Sequence, residues 1–77
     1  MISRDFGYAL RLLKQGKKVA RDGWNGKGMF VYLVEGSEGP DGIKYLPYLM
    51  LKTVQDTHVP WLISQTDALE EDYEEVI

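Results

Sequence analysis

No cysteine occurs in the 77 residues of this chain, which removes disulfides and thiolate-bound zinc together. His58 is the only histidine, too few nitrogen ligands for an all-protein zinc cage. No apolar run approaches the ~20 residues of a membrane-spanning helix. Met1-Ile2-Ser3-Arg4 does not open like a secretory leader, so the expectation is a cytoplasmic protein with no membrane partner. Also missing are a nucleophile elbow and a Walker A loop, since Gly23 to Lys27 has the wrong spacing and no following Ser or Thr. A Ser-His-Asp site would have to recruit His58, and a carboxylate pair drawn from Asp22 and Asp67 carries no distinctive spacing. No catalytic residue is assigned and the chain is read as a binding protein rather than an enzyme.

What remains is one small domain over residues 1–77 with an acidic tail from about residue 70. A chain of this size buries only about 60% of its unfolded surface, so its core alone gives marginal stability and subunit contacts are the expected supplement. The net charge is −3. Residues 1–28 hold seven Lys/Arg against two Asp, and residues 29–77 hold two Lys against ten Asp/Glu. Such asymmetry fits either pairing between subunits or a basic ligand pocket beside a solvated acidic tail. The acidic balance argues against duplex nucleic acid as a partner.

The expected fold is α+β: an N-terminal amphipathic helix on an antiparallel sheet of about four strands, with a short C-terminal helix, in an oligomer. Asp5 caps a helix over Phe6 to Gln15, with Ala9, Leu10 and Leu13 on the apolar face and Gly16 at its end. Gly7 costs that helix ~1 kcal/mol relative to Ala, a sign of close packing against the first turn. Lys17 to Arg21 forms a strand. The unbroken run Met29 to Val34 predicts a strand covered on both faces, by the helix and by a second subunit. Gly36 to Gly42 reads as a mobile loop, and Tyr45 to Val54 as a strand bent or edged at Pro47. A turn at Gln55-Asp56 leads to a returning strand over Thr57 to Leu62. Ser64 or Thr66 caps a last helix from Asp67 to about Tyr73, and Glu70 to Glu75 frays into solvent.

The chemistry concentrates in Gly23-Trp24-Asn25-Gly26-Lys27-Gly28 and in Pro60-Trp61-Leu62-Ile63-Ser64-Gln65-Thr66-Asp67. Tryptophan offers a flat face for stacking a planar group; Asn, Ser, Gln, Thr and Asp offer hydrogen bonds to its edge; glycine N–H groups beside a lysine suit phosphate. That inventory fits a nucleotide-like ligand. Each residue also has a purely structural use: Trp24 and Trp61 as core plugs, Phe6 as core, Asn25-Gly26 as a turn pair, Ser64 and Thr66 as helix caps, Asp67 as a helix N-terminal acid, Arg21 and Lys27 as solvated charges. Taken one at a time, the structural use wins.

Taken in order, the motifs resemble a known family. Phe6-Gly7, Gly16-Lys17-Lys18-Val19-Ala20-Arg21 and Gly23-Trp24-Asn25-Gly26-Lys27 match it. So do Tyr45-Leu46-Pro47-Tyr48, Lys52-Thr53, Val59-Pro60-Trp61 and Ser64-Gln65-Thr66-Asp67. Together they resemble the phage-encoded Thoeris anti-defence family, second type, over nearly the whole chain. Tyr8 stands where that pattern leads one to expect Glu, and Tyr73 where it leads one to expect Trp. The resemblance implies a sponge that acts in the cytoplasm of the infected bacterium. It would bind cyclic ADP-ribose-type immune signals, chiefly glycocyclic ADP-ribose isomers, without cleaving them, and would need no cofactor or metal. It further implies homotetramers with pockets between protomers and, in some members, a separate site for cyclic oligonucleotides. On it, Trp24 and Trp61 clamp the base with Phe6 on the wall. Asn25, Gln65 and Asp67 take the adenine edge or ribose hydroxyls, and Arg21, Lys27, Ser64 and Thr66 take the phosphates. The competing readings are an interaction module that inhibits a host enzyme, a signal-degrading enzyme, and a single-strand nucleic-acid binder.

Overall fold

The computed structural model describes residues 3–24 and 27–77. Helix α1 runs Phe6–Lys14, one residue short of the expected end, and both its caps are those the sequence predicts. The Asp5 carboxylate accepts from the Tyr8 N–H at 2.9 Å. At the other end Gly16 takes φ +83°. There its N–H donates to the Leu13 carbonyl and that of Lys17 to the Leu12 carbonyl, at 3.0 and 3.1 Å, the paired pattern of a Schellman ending. The close neighbour of Gly7 is the cap itself, because a Cβ there would stand 3.3 Å from the Asp5 carboxylate.

Seven strands follow among the described residues: β1 Lys18–Arg21, β2 Phe30–Val34, β3 Ser37–Glu38, β4 Lys44–Tyr45, β5 Tyr48–Lys52, β6 His58–Pro60 and, after helix α2 (Gln65–Leu69), β7 Tyr73–Val76. Five of them form one antiparallel sheet in the order β6-β5-β2-β1-β7, and β3 pairs with β4 in a separate hairpin. The fold is therefore α+β, with one more strand in the main sheet than expected.

Three expectations are corrected. The region read as a mobile loop, Gly36 to Gly42, contains β3 and the turn of the β3–β4 hairpin, closed by the Gly39 N–H on the Ile43 carbonyl at 2.8 Å. The strand expected from Tyr45 to Val54 is two strands, because Pro47 has no N–H to donate and separates β4 from β5. Finally, the last helix stops at Leu69 and the acidic tail does not fray. Tyr73–Val76 pairs along the edge of β1, with Arg21 opposite Tyr73 and Lys18 opposite Val76. The turn at Gln55-Asp56 forms as expected, with Asp56 in the left-handed region at φ 62°.

The charge asymmetry resolves inside the chain. Lys17 meets Glu75 at 3.6 Å, Arg4 meets Asp22 at 3.1 Å and Glu74 at 3.9 Å, and Arg21 meets Asp72 at 2.7 Å. The basic N-terminal segment and the acidic C-terminal segment are thus neighbours in one sheet.

Strand register puts Val19, Val31, Leu51 and Val59 in one row on the face that α1 covers. Ala9, Leu13, Val19, Val31 and Tyr73 are fully buried there, and Leu49, Leu51, Trp24 and Trp61 pack against them. The opposite face carries Phe30, Tyr32, Val34 and Met50, all half-buried, and among the described residues neither helix lies over it. One cover of the two expected for β2 is therefore present within the chain.

Candidate functional site

The end of β1, the loop after it, the strand exit at Trp61 and helix α2 converge on one cluster. Trp24 and Trp61 are half-buried against the core, with ring centroids 6.1 Å apart and planes at 75°. This edge-to-face contact is a favoured aromatic geometry, and it means that within one chain the two indoles form a single angular wall rather than two parallel plates. Phe6 extends the wall, 6.2 Å from Trp61 and 5.7 Å from Tyr73. Its place follows from α1, whose first turn carries Phe6 on the same stripe as Ala9 and Leu13.

Beneath the wall lies a charged network centred on Arg21, whose side chain is only 11% exposed. Arg21 Nε donates to Asp72 Oδ1 at 2.7 Å, one terminal nitrogen donates to Asp67 Oδ1, and the other reaches Asp72 Oδ2 at 3.4 Å and Glu70 at 3.8 Å. Asp67 Oδ1 also accepts from Trp24 Nε1 at 3.2 Å. Asp72 Oδ2 accepts from the Gly23 backbone N–H at 2.9 Å. Tyr73 is wholly buried, and its hydroxyl donates to the Asp67 backbone carbonyl. Ser64 caps α2 by accepting from the Asp67 N–H at 3.1 Å while its hydroxyl donates to Asp67 Oδ2 at 3.0 Å.

The ionisation states follow from these contacts. The Asp72 hydrogen bond, with help from Asp67 and against the cost of burial, holds the Arg21 guanidinium still more firmly protonated than usual. Burial works to raise Asp67, but hydrogen bonds from Arg21, Trp24 and Ser64 outweigh it and hold the carboxyl below its ordinary range. Asp72 is held low by Arg21 against the opposing effect of burial, with the Gly23 N–H adding to it. Burial pushes the Tyr73 phenol up to about 12.

Of the residues singled out from sequence, Phe6, Arg21, Trp24, Trp61, Ser64 and Asp67 belong to this connected cluster. Gln65 and Thr66 are exposed in the first turn of α2 beside it, and Lys27 is exposed in the turn before β2. Asn25 lies outside the described residues. Asp72 and Tyr73, read as part of a fraying tail, prove central, and the Gly23 N–H, read as suited to phosphate, donates to a carboxylate instead. Among the described residues no group of three or more His, Cys, Asp or Glu is arranged to hold a metal ion. None of the described helices is long and apolar enough to cross a membrane.

A family model for the Thoeris anti-defense 2-like domain matches residues 4–76. The chain belongs to that family. The Thoeris anti-defense 2 protein of Bacillus phage SP01 is 38% identical over 80 aligned positions, which cover 90% of this chain and 90% of that protein. Membership makes the chain an anti-defence protein directed against Thoeris. The match takes in both α1 and β7, so it includes every residue of the cluster described above.

Proposed function

We propose that this protein blocks Thoeris defence in the infected cell by sequestering a cyclic ADP-ribose-type signal, a glycocyclic ADP-ribose isomer, without cleaving it. The observation that carries the reading is the angular wall of Trp24, Trp61 and Phe6, anchored through Trp24 Nε1 to a closed ionic network. An anchored indole is a ready platform for adenine, worth about 1–3 kcal/mol of stacking. Gln65 and Thr66 supply exposed polar groups in the first turn of α2, and Asn25 and Lys27 follow the platform in sequence. Capture needs affinity and a slow off-rate rather than transition-state discrimination, so acid–base machinery is not called for.

A second copy completes the site on this reading. The sheet face with Phe30, Tyr32, Val34 and Met50, where Lys18 and Lys52 lie over the Phe30 ring at 4.9 and 5.5 Å and His58 meets the Tyr32 hydroxyl, supplies a mixed apolar and cationic surface for assembly, and a tetramer is the proposed form. Replacing Met50 with Asp places a charge at that face. The expected outcome is a lower sedimentation coefficient with the monomer's circular dichroism unchanged.

The deciding experiment is a thermal shift with purified cyclic ADP-ribose isomers. Ligand at 100 times its Kd stabilises by about 2.7 kcal/mol, which for a domain of this size raises the Tm by roughly 10–20 °C. Heating the complex should then release the signal intact. Absence of a shift with every isomer refutes sequestration, and release of a linear product identifies an enzyme. Trp24→Ala, losing about 1–3 kcal/mol of stacking, should cut the shift by roughly a third to nine-tenths at the same ligand concentration in an otherwise folded protein.

A further inference from the structure

Arg21 invites assignment as a phosphate ligand, being a cation at the mouth of a glycine–tryptophan loop. Its surroundings oppose that use. Three carboxylates, Asp67, Asp72 and Glu70, lie within 4 Å of its guanidinium, so the arginine sits in a locally anionic patch. The side chain is 11% exposed, and Nε and both terminal nitrogens already point at carboxylate oxygens. A phosphate would have to displace one of these acids and approach the others.

The same contacts give Arg21 a different task. Asp67 Oδ1 is shared between the Arg21 guanidinium and the Trp24 indole N–H. Asp72 holds the Gly23 N–H with the oxygen that also faces Arg21. The guanidinium therefore fixes two carboxylates, and those two carboxylates fix consecutive residues of the loop. One carboxylate comes from α2 and the other from just before β7, 46 and 51 residues from Arg21 in sequence. Only a forked, planar cation with separated donors can hold both at once; an ammonium is a single point charge.

We propose that Arg21 is a positioning residue: through Asp67 and Asp72 it sets the plane of the Trp24 indole and the backbone at Gly23, and it does not touch the ligand. This rests on the reading of Trp24 as the stacking platform. It adds that the platform's orientation, and hence affinity, is set from below by an ion network that carries no ligand contact.

The test uses the full-length protein, Arg21→Lys and Arg21→Gln, with Trp24→Phe to assign the indole N–H resonance. Three readouts are taken: the Trp24 indole N–H shift and its solvent exchange without ligand, the Kd for a glycocyclic ADP-ribose isomer, and the salt dependence of that Kd. The expected result in both Arg21 variants is an upfield-shifted, faster-exchanging Trp24 N–H and an affinity loss of 10-fold or more. The salt slope should match wild type, because no ligand–cation contact has been removed. An unmoved Trp24 resonance with a shallower salt slope would identify Arg21 as a direct phosphate contact and overturn the proposal, as would wild-type affinity in both variants. Should the variants not fold, the wild-type Arg21 Nε–H resonance decides. It stays in place on ligand addition if Arg21 only positions, and moves strongly if phosphate binds it. If no cyclic ADP-ribose isomer binds wild type, the sequestration reading fails alone, and the Trp24 resonance in Arg21→Lys still judges the positioning role.

Discussion

Tyr73→Ala, compared with Tyr73→Phe, tests whether the acidic C-terminal segment is a structural strand. Tyr73 is fully buried, lies opposite Arg21 in the β1–β7 pairing, and packs edge-on to Phe6 at 5.7 Å. Its backbone N–H donates to the Arg4 carbonyl at 3.1 Å. A buried aromatic removes about 150–250 Å² from water, or roughly 4–6 kcal/mol at ~25 cal/mol per Å². Measured losses for aromatic-to-alanine changes in cores are about 3–5 kcal/mol. At roughly 0.05–0.15 kcal/mol per residue, the whole chain has only about 4–12 kcal/mol of stability to lose. Tyr73→Ala should therefore leave it marginal. Tyr73→Phe keeps the ring and removes only the hydrogen bond to the Asp67 carbonyl, a cost of about 0.5–1.5 kcal/mol. Urea denaturation reads both values directly. A lowered midpoint at unchanged slope reads as lost stability, with no change in the surface exposed on unfolding. If Tyr73→Ala lies within about 1 kcal/mol of wild type, the tail is not part of the core and the network built on it is wrong.

Further outcomes follow from the same network. Because the Tyr73 phenol is pushed up to about 12, the folded state holds its proton more tightly than the unfolded chain. The stabilisation is complete below the unfolded value near 10 and is lost as pH rises from there toward 12. Denaturation series from pH 9 to 11.5 should show that alkaline limb in wild type and a flatter one in Tyr73→Phe. Asp67 and Asp72 are both held low, so their contribution is present above the unfolded value near 3.9 and is lost as pH falls through the folded values. Asp72→Asn should flatten the acid limb in the same assay. Gly16→Ala forces a Cβ into φ +83° at the end of α1 and should cost about 1 kcal/mol, or roughly 4–8 °C in Tm by calorimetry.

The parts of the fold legible in sequence are those whose signals are local. Asp5, the spacing of Phe6, Ala9 and Leu13, and Gly16 all specify α1, and each does what its chemistry predicts. The run from Met29 to Val34 declares a strand by composition alone. The β3–β4 hairpin was hidden because its strands are two residues long and its glycines and proline read as punctuation. The tail was hidden for a deeper reason. Glu70, Glu71, Asp72, Glu74 and Glu75 look like a solvated run until Arg4, Lys17 and Arg21 are placed beside it, and that placement is a matter of topology. The uneven split of charge along the chain was the available clue, and Arg4, Lys17 and Arg21 do meet acids of the tail within one subunit. Arg21 is the same lesson in one residue. Its neighbours in sequence recommend a phosphate contact, and its neighbours in space are carboxylates.

Magnitudes press the proposed site toward assembly. Holding a signalling nucleotide at nanomolar concentration takes about −12 kcal/mol. One stacked base contributes about 1–3 kcal/mol, and two charge-assisted hydrogen bonds add roughly 1.5–3 kcal/mol each. Those gains total about 4–9 kcal/mol before any cost of immobilising the ligand is deducted. The angular wall of one chain presents a single indole corner, and the carboxylates beneath it turn anionic groups away. A phosphate-bearing ligand seated by its base on that corner must therefore direct its phosphates outward, past the edge of its own protomer. Cations that meet them there come most economically from a second copy, so the affinity shortfall calls for a partner at the rim of the indole wall, on the other side of the sheet from Phe30, Tyr32, Val34 and Met50.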